Sequence, residues 1–357
     1  MFLKSKLDIF KNKLIRKYSK NNEIKTLTRD EIKIELAKEP VAVDINELDN
    51  STFGRLQLLV DGVCFETFLA NSKEKKLFVC LSDAGTNIYP RFQRASWIST
   101  FKGLFLCIDD PSKSSAPIPL TYYFGTKNIS YLDLIIKIIQ KVSKLHSIRV
   151  EDIIFIGSSM AGFSALYCCD NLKGSKSIVF NPQFFIQKWL SSRTFFTDKD
   201  FERCFDFSFA DPQFFYRIDL RRITENKKSR FFIFLNTNSA QDKLQIDELA
   251  RVSGFKYRTG IQKIGNIMLY IAPFNVPHPH QAFPIEQTCR IFLNSLYNFN
   301  LTNFEKDVYF AFTSMYAWHF RKLMDTNNKK YVESIFLLIA LAYLFLSIDD
   351  FLLYIRF

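Results

Sequence analysis

Residues 152–168 read DIIFIGSSMAGFSALYC, and this stretch decides how the rest of the chain is understood. A β-branched and aromatic run ends on Gly157-Ser158-Ser159-Met160-Ala161-Gly162 and passes at once into a helix of small residues. A serine at a sharp strand-to-helix turn is lifted out of the sheet, and small neighbours let the turn close. The N–H of the following residue, Met160, would then face a developing oxyanion, helped by the helix N-terminus. Spacing from Gly157 favours Ser159 over its neighbour Ser158. The strict G-x-S-x-G pattern is broken only at its last position, where Ala161 stands with Gly162 just behind it. A strand–helix turn with a serine N-cap would read much the same.

Working outward, apolar strands alternate with helical stretches. KKLFVCL (75–81), GLFLCID (103–109), DIIFIG (152–157), KSIVFNPQ (176–183), RFFIFLNT (230–237) and NIMLYIAPF (266–274) are the strands, and YLDLIIKIIQKVSKL (131–145) is a long helix. Continuous apolar strands separated by helices predict an α/β protein whose mostly parallel sheet carries helices on both faces. RLQLLVDGVCFETFL (55–69) predicts a hairpin turning on Asp61-Gly62. Residues 184–225 are aromatic-rich, helical and irregular, as an inserted cap would be. We therefore expect a basic segment over 1–50, a catalytic domain over 51–300 and a helical segment over 301–357, with no internal repeat.

The chain has 357 residues, 48% hydrophobic and 24% charged, with 39 Phe, which excludes a disordered, collagen-like or coiled-coil chain. A net charge of +12 favours an anionic partner, but no zinc-finger spacing, RNA-recognition motif or Gly-rich phosphate loop supports nucleic acid. Seven cysteines without a CxxC fit reduced, mostly buried thiols. The basic N-terminus has no apolar signal core, so a cytoplasmic protein is expected. Leu3, Leu7, Phe10, Leu14 and Tyr18 recur at helical spacing among lysines over residues 1–26. That fits a helix on a membrane surface or a partner, or one packed on the domain. The apolar run Ile335–Leu346 has 12 residues, against the about 20 that a spanning helix needs. It reads as a buried helix or a surface contact.

A serine nucleophile needs a base, and there are four histidines. His146 ends the helix before the nucleophile strand, and His319 lies in a C-terminal helical segment. His278 and His280, in NVPHPHQAFP, follow the last apolar strand, on the edge where the serine turn lies. His278 is preferred, with His280 close behind. The orienting acid is expected after the preceding strand, where Asp242 stands, with Asp247 and Glu248 in reserve. A second oxyanion donor is expected in LSDAGT (81–86), from Asp83, Ala84 or Gly85. Gly125 and Thr126 could line the cleft. Arg91 and Arg94 could hold a phosphate or a sugar carboxylate, or simply be exposed. No His/Cys spacing supports a metal site.

LSDAGT, RFQRASW, CIDDPS, YYFGT, FIGSSMAGFSAL and VFNPQ, in this order, resemble bacterial capsular polysaccharide O-acetyltransferases of the α/β-hydrolase fold. They are more distantly similar to a glycan-modifying accessory secretion component, and the resemblance covers about residues 75–295. It implies a Ser-His-Asp triad, falling on Ser159, Asp242 and His278 or His280, that moves an acetyl group from acetyl-CoA, as substrate and not bound cofactor, to a sugar hydroxyl. A surface polysaccharide would be the acceptor, and capsule-assembly enzymes or the inner membrane face would be partners of residues 1–26. Two other readings share these residues. One is a carbohydrate esterase that uses water as acceptor, and the other is a non-catalytic hydrolase-fold scaffold, for which Ala161 is the best support.

Overall fold

The strands expected around residues 152–168 assemble into one mixed sheet. The structure, a computed structural model, describes residues 27–70, 74–84, 89–114, 121–187, 197–274, 278–281 and 285–299. Residues 1–26, the run Ile335–Leu346, His319 and Gly85 lie outside them. The strands are β1 (Val41–Asp44), β2 (Gly54–Val60), β3 (Val63–Ala70), β4 (Leu77–Leu81), β5 (Leu104–Ile108), β6 (Ile153–Ser158), β7 (Lys176–Phe180), β8 (Arg230–Asn236), β9 (Gly260–Ile264) and β10 (Ile267–Ala272). Their order is β1-β2-β3-β5-β4-β6-β7-β8-β10-β9.

From β5 through β4, β6, β7 and β8 to β10 every pairing is parallel. This central run matches the continuous apolar segments, for a strand covered on both faces has no polar side to show. Antiparallel pairing is confined to β2–β3, β3–β5 and β9–β10. The β2–β3 hairpin turns where expected, with Asp61 at φ 46° and Gly62 at φ 83°, the left-handed pair of a tight hairpin turn. The sheet begins earlier than the composition suggests: β1 lies within residues 1–50 and pairs in parallel with β2.

The helices are α1 (Arg29–Leu36), α2 (Tyr131–Leu145), α3 (Ser159–Asn171), α4 (Asp198–Phe205), α5 (Ala240–Ser253) and α6 (Ile285–Asn298). In α2 the apolar positions fall on one face, and Ser130 caps its N-terminus by accepting from Asp133 N. The helix α3 is buried almost throughout; it packs on β4, β6 and β7 and against α2. Between β7 and β8 the described residues make α4, two short 3₁₀ turns and one helical turn at Phe215–Ile218. Phe201, Phe205, Phe207 and Phe214 cluster there, and Phe201, Phe205 and Phe207 pack on Phe124. Cys168 and Cys169 are buried thiols, and burial pushes Cys169 up to about 12. The chain divides into a unit over 1–282 and a second over 283–357, of which α6 is described. No helix among the described residues is long and apolar enough to cross a membrane.

Candidate active site

Because β4, β6, β7, β8 and β10 run parallel, the segments that follow them all leave the same edge of the sheet. The turn after β6 carries Ser159, whose φ is 52°. A non-glycine residue pays about 1–3 kcal/mol for the left-handed region and keeps it only where its surroundings insist. Two glycines insist here. A Cβ on Gly157 would lie 2.2 Å from the Ala161 carbonyl oxygen, and one on Gly162 would lie 2.9 Å from Pro182 Cβ. The close approaches therefore fall on Gly157 and Gly162, while Ala161, fully buried, keeps its methyl group without disturbing the turn.

Two strands along the edge, after β8, the acid and the base meet. Asp242 is 1% exposed, and its Oδ1 lies 2.7 Å from His280 Nδ1. The other oxygen, Oδ2, accepts from Asn236 N at 3.0 Å and from Asn181 Nδ2. Asp242 stands in the first turn of α5, not in the loop before it, and Ser239 Oγ accepts its N–H. A carboxylate is favoured at a helix N-terminus. With Nδ1 facing a carboxylate, the neutral ring carries its proton there and presents Nε2 as an acceptor. His280 Nε2 is buried and has no hydrogen-bond partner among the described residues. His278 is exposed. The preference between the two histidines thus turns to His280, because the carboxylate selects it. Asn236, the last residue of β8, ties the histidine segment down: its Nδ2 donates to Phe274 O and Pro279 O, both at 2.9 Å.

Ser159 Oγ accepts from Gln183 Nε2 at 3.1 Å. Among the described residues no hydrogen bond joins Ser159 to His280. The link runs through the segment after β7, where Asn181 reaches Asp242 and Gln183 reaches Ser159.

Ser82 and Asp83, just after β4, are held by buried charge. Lys113 Nζ donates to Asp109 Oδ1 at 2.9 Å, Ser82 Oγ at 2.7 Å and Asp83 O at 2.6 Å. The Lys113 and Asp109 side chains are 4% and 0% exposed. Asp109 Oδ2 also accepts Arg91 N at 2.5 Å. Tyr123 O–H donates to Ile108 O and accepts Ser82 N, both at 2.7 Å. Asp110, whose carboxyl burial raises above its ordinary range, accepts Tyr123 N at 2.5 Å. Asp83 N is already taken by Gln93 Oε1 at 2.8 Å, so Asp83 has no amide to offer an oxyanion. Among the described residues the next amide, of Ala84, has no such partner, and neither has Met160 N in the first turn of α3. The two segments leave neighbouring strands, β4 and β6.

No protein-family model matches this chain, and no curated protein matches its sequence. Solved structures do. The capsule O-acetyltransferase of Neisseria meningitidis serogroup A superposes with a TM-score of 0.50 at 16% identity, over 69% of this chain and 94% of that one. This chain has the α/β-hydrolase fold. The fluorophosphonate-binding serine hydrolase F of Staphylococcus aureus gives 0.43 at 12% identity, over 62% of this chain and 89% of that one. An esterase of Pyrococcus furiosus gives 0.44 at 14% identity, over 66% and 87%.

The remaining candidates occupy other places on this hydrolase-fold scaffold. Arg91 is spent on Asp83, with NH1 at 3.0 Å from Oδ1. Arg94, 8% exposed, donates to Ser158 Oγ at 2.7 Å and lies over Trp97; no carboxylate neutralises it among the described residues. Gly125 and Thr126 form a tight turn. A Cβ on Gly125 would lie 2.1 Å from Ile129 O, and Thr126 O accepts Arg217 NH1 at 2.7 Å. Asp247 pairs with Lys243 and Tyr257, and Glu248 with Arg251, so neither reaches His280. His146 caps the far end of α2. Among the described residues no group of three or more His, Cys, Asp or Glu is gathered for a metal ion. Asn181, Gln183 and Asn236 were not candidates from sequence, because an amide in NPQ or LNTN reads as turn chemistry until its partners are known.

Proposed function

We propose that this protein is an O-acetyltransferase that moves an acetyl group from acetyl-CoA to a hydroxyl of a bacterial surface polysaccharide through an acyl-enzyme on Ser159. The observation that carries the reading is the Asp242–His280 pair, with its idle Nε2, on the same sheet edge as the left-handed Ser159. His280 takes the Ser159 proton as Oγ attacks the thioester carbonyl, and returns it to the leaving thiol. Asp242 holds the ring in the required tautomer and steadies the imidazolium that forms. Met160 N–H and Ala84 N–H supply the oxyanion donors. The Ser159–His280 contact closes on substrate binding, as catalytic hydrogen bonds commonly do.

Donor and acceptor class follow the likeness to the meningococcal capsule enzyme and the motif resemblance. The unneutralised Arg94 beside Ser158 would suit an anionic group on the acceptor. Purified protein with acetyl-CoA and a panel of capsular polysaccharides tests this. Thiol release that depends on glycan and vanishes in Ser159→Ala is expected. Release indifferent to glycan would make the protein an esterase, and release unchanged in Ser159→Ala would remove the triad.

A further inference from the structure

Gln183 is 1% exposed and touches the candidate nucleophile. One end of its carboxamide is spent on Ser159 Oγ at 3.1 Å, while the other, Oε1, is buried with no hydrogen-bond partner among the described residues. Turning the carboxamide over exchanges the atoms but not the count: one end serves Ser159 and one stays idle. A buried polar group left idle is costly, and such exceptions in folded proteins call for an explanation. Gln183 has little freedom to turn away. Pro182 lies against Gly162, and the N–H groups of Phe184 and Phe185 both donate to Gln245 Oε1, at 2.6 and 3.0 Å.

Beside the candidate nucleophile, the idle end can be satisfied by a group the substrate brings. An acetyl thioester offers a carbonyl oxygen, a sulfur and a methyl group, none of which can donate a hydrogen bond. A hydroxyl donates and accepts, so it satisfies the carboxamide whichever way it faces. Both ends of a carboxamide sit on one carbon, so an atom held by the idle end is a close neighbour of whatever adjoins Ser159 Oγ. Oxygens on adjacent carbons match that separation, and a lone water cannot fill both places.

We propose that Gln183 binds a second hydroxyl of the acyl acceptor, vicinal to the one that reacts, so that the site selects vicinal diols over water and simple alcohols. This rests on the reading of Ser159 as the acyl-carrying residue. In the deacylation step the reacting hydroxyl oxygen attacks the Ser159 ester carbonyl and its proton passes to His280 Nε2. The tetrahedral intermediate then expels Ser159 Oγ, which recovers that proton. The neighbouring hydroxyl stays on Gln183 throughout and is not consumed.

The partition of the acyl-enzyme is the test. With p-nitrophenyl acetate as acyl donor, acetylated alcohol and free acetate are quantified in 1,2-propanediol, 1,3-propanediol or 1-propanol at equal concentration. The expected result is a transfer-to-hydrolysis ratio at least tenfold higher for 1,2-propanediol than for the other two. Gln183→Leu is expected to bring the three ratios together, and Gln183→Asn, with its shorter reach, to fall between. A ratio does not respond to general loss of activity, and melting curves report whether each variant is folded. Equal ratios in the unaltered protein, no transfer to any alcohol, or a preference that survives in folded Gln183→Leu would overturn the proposal. If Ser159→Ala released p-nitrophenol as fast as the unaltered protein, the acyl-enzyme reading itself would fail and take this inference with it.

Discussion

His280 Nδ1 lies 2.7 Å from Asp242 Oδ1, and this one contact chooses between two histidines that sequence leaves nearly equal. Under the proposed mechanism it fixes the ring's tautomer and leaves Nε2 for the serine. His280→Ala is expected to lower kcat by about 10³-fold or more, and Asp242→Asn by a similar factor through the wrong tautomer. His278→Ala should stay within about threefold, since an exposed loop histidine holds no proton in the reaction. Ester hydrolysis by the three variants checks this, and equal losses in both histidine variants would count against the assignment.

The elbow depends on its glycines in an uneven way. Gly157→Ala puts a Cβ 2.2 Å from a backbone oxygen, and the turn cannot move without displacing Ser159. A loss of about 3 kcal/mol or more is expected, or failure to fold. Ala161→Gly, which would restore the strict motif, should cost only about 1 kcal/mol as an added glycine in a helix. Denaturant titration of both variants measures the contrast.

Buried charge holds the segment after β4. Lys113→Met removes the cation that faces the Asp109 carboxyl group at 0% exposure, leaving it only neutral donors such as Arg91 N, and a loss of about 3–5 kcal/mol is expected. Replacing both residues, as Asp109→Asn with Lys113→Met, should recover part of that loss, because no lone charge remains. A double-mutant cycle in denaturant reads the coupling, and additive losses would contradict it.

His146 is partly buried at the C-terminus of α2, its ring tilted against Phe53 with centroids 5.5 Å apart, and burial lowers its pKa below the ordinary 6.5. A histidine with a lowered folded pKa prefers to be neutral in the native state. Its contribution is therefore complete above pH 6.5 and is lost as the pH falls from there through the folded value. His146→Phe is expected to flatten the dependence of the melting midpoint on pH between about 7.5 and 5. An unchanged slope would place the sensitivity elsewhere.

Much of this was legible in the sequence for definable reasons. β6 and α3 could be read from residues 152–168 because a doubly covered strand and a small-residue helix leave unmistakable runs, and α2 was bounded to the residue by its periodicity. β1 was hidden, for an edge strand of four residues with an exposed Val41 carries no such run. Asp83 was a fair oxyanion candidate by position, and only the Gln93 side chain, ten residues on, removes its amide. Arg91 and Arg94 look alike in YPRFQRASW, yet one is paired with Asp83 and the other stands by Ser158 without a carboxylate. Asn181, Gln183 and Asn236 act by bonds across 61, 24 and 38 positions, which no local pattern encodes.

The central claim is that Ser159 carries an acyl group. Brief exposure to acetyl-CoA or p-nitrophenyl acetate, acid quenching and peptide mass spectrometry addresses it directly. An added mass of about 42 Da on the peptide containing Ser159, absent in Ser159→Ala and longer-lived in His280→Ala preloaded with p-nitrophenyl acetate, is the expected result. Turnover without any adduct on that peptide, or an adduct that persists in Ser159→Ala, would contradict the account.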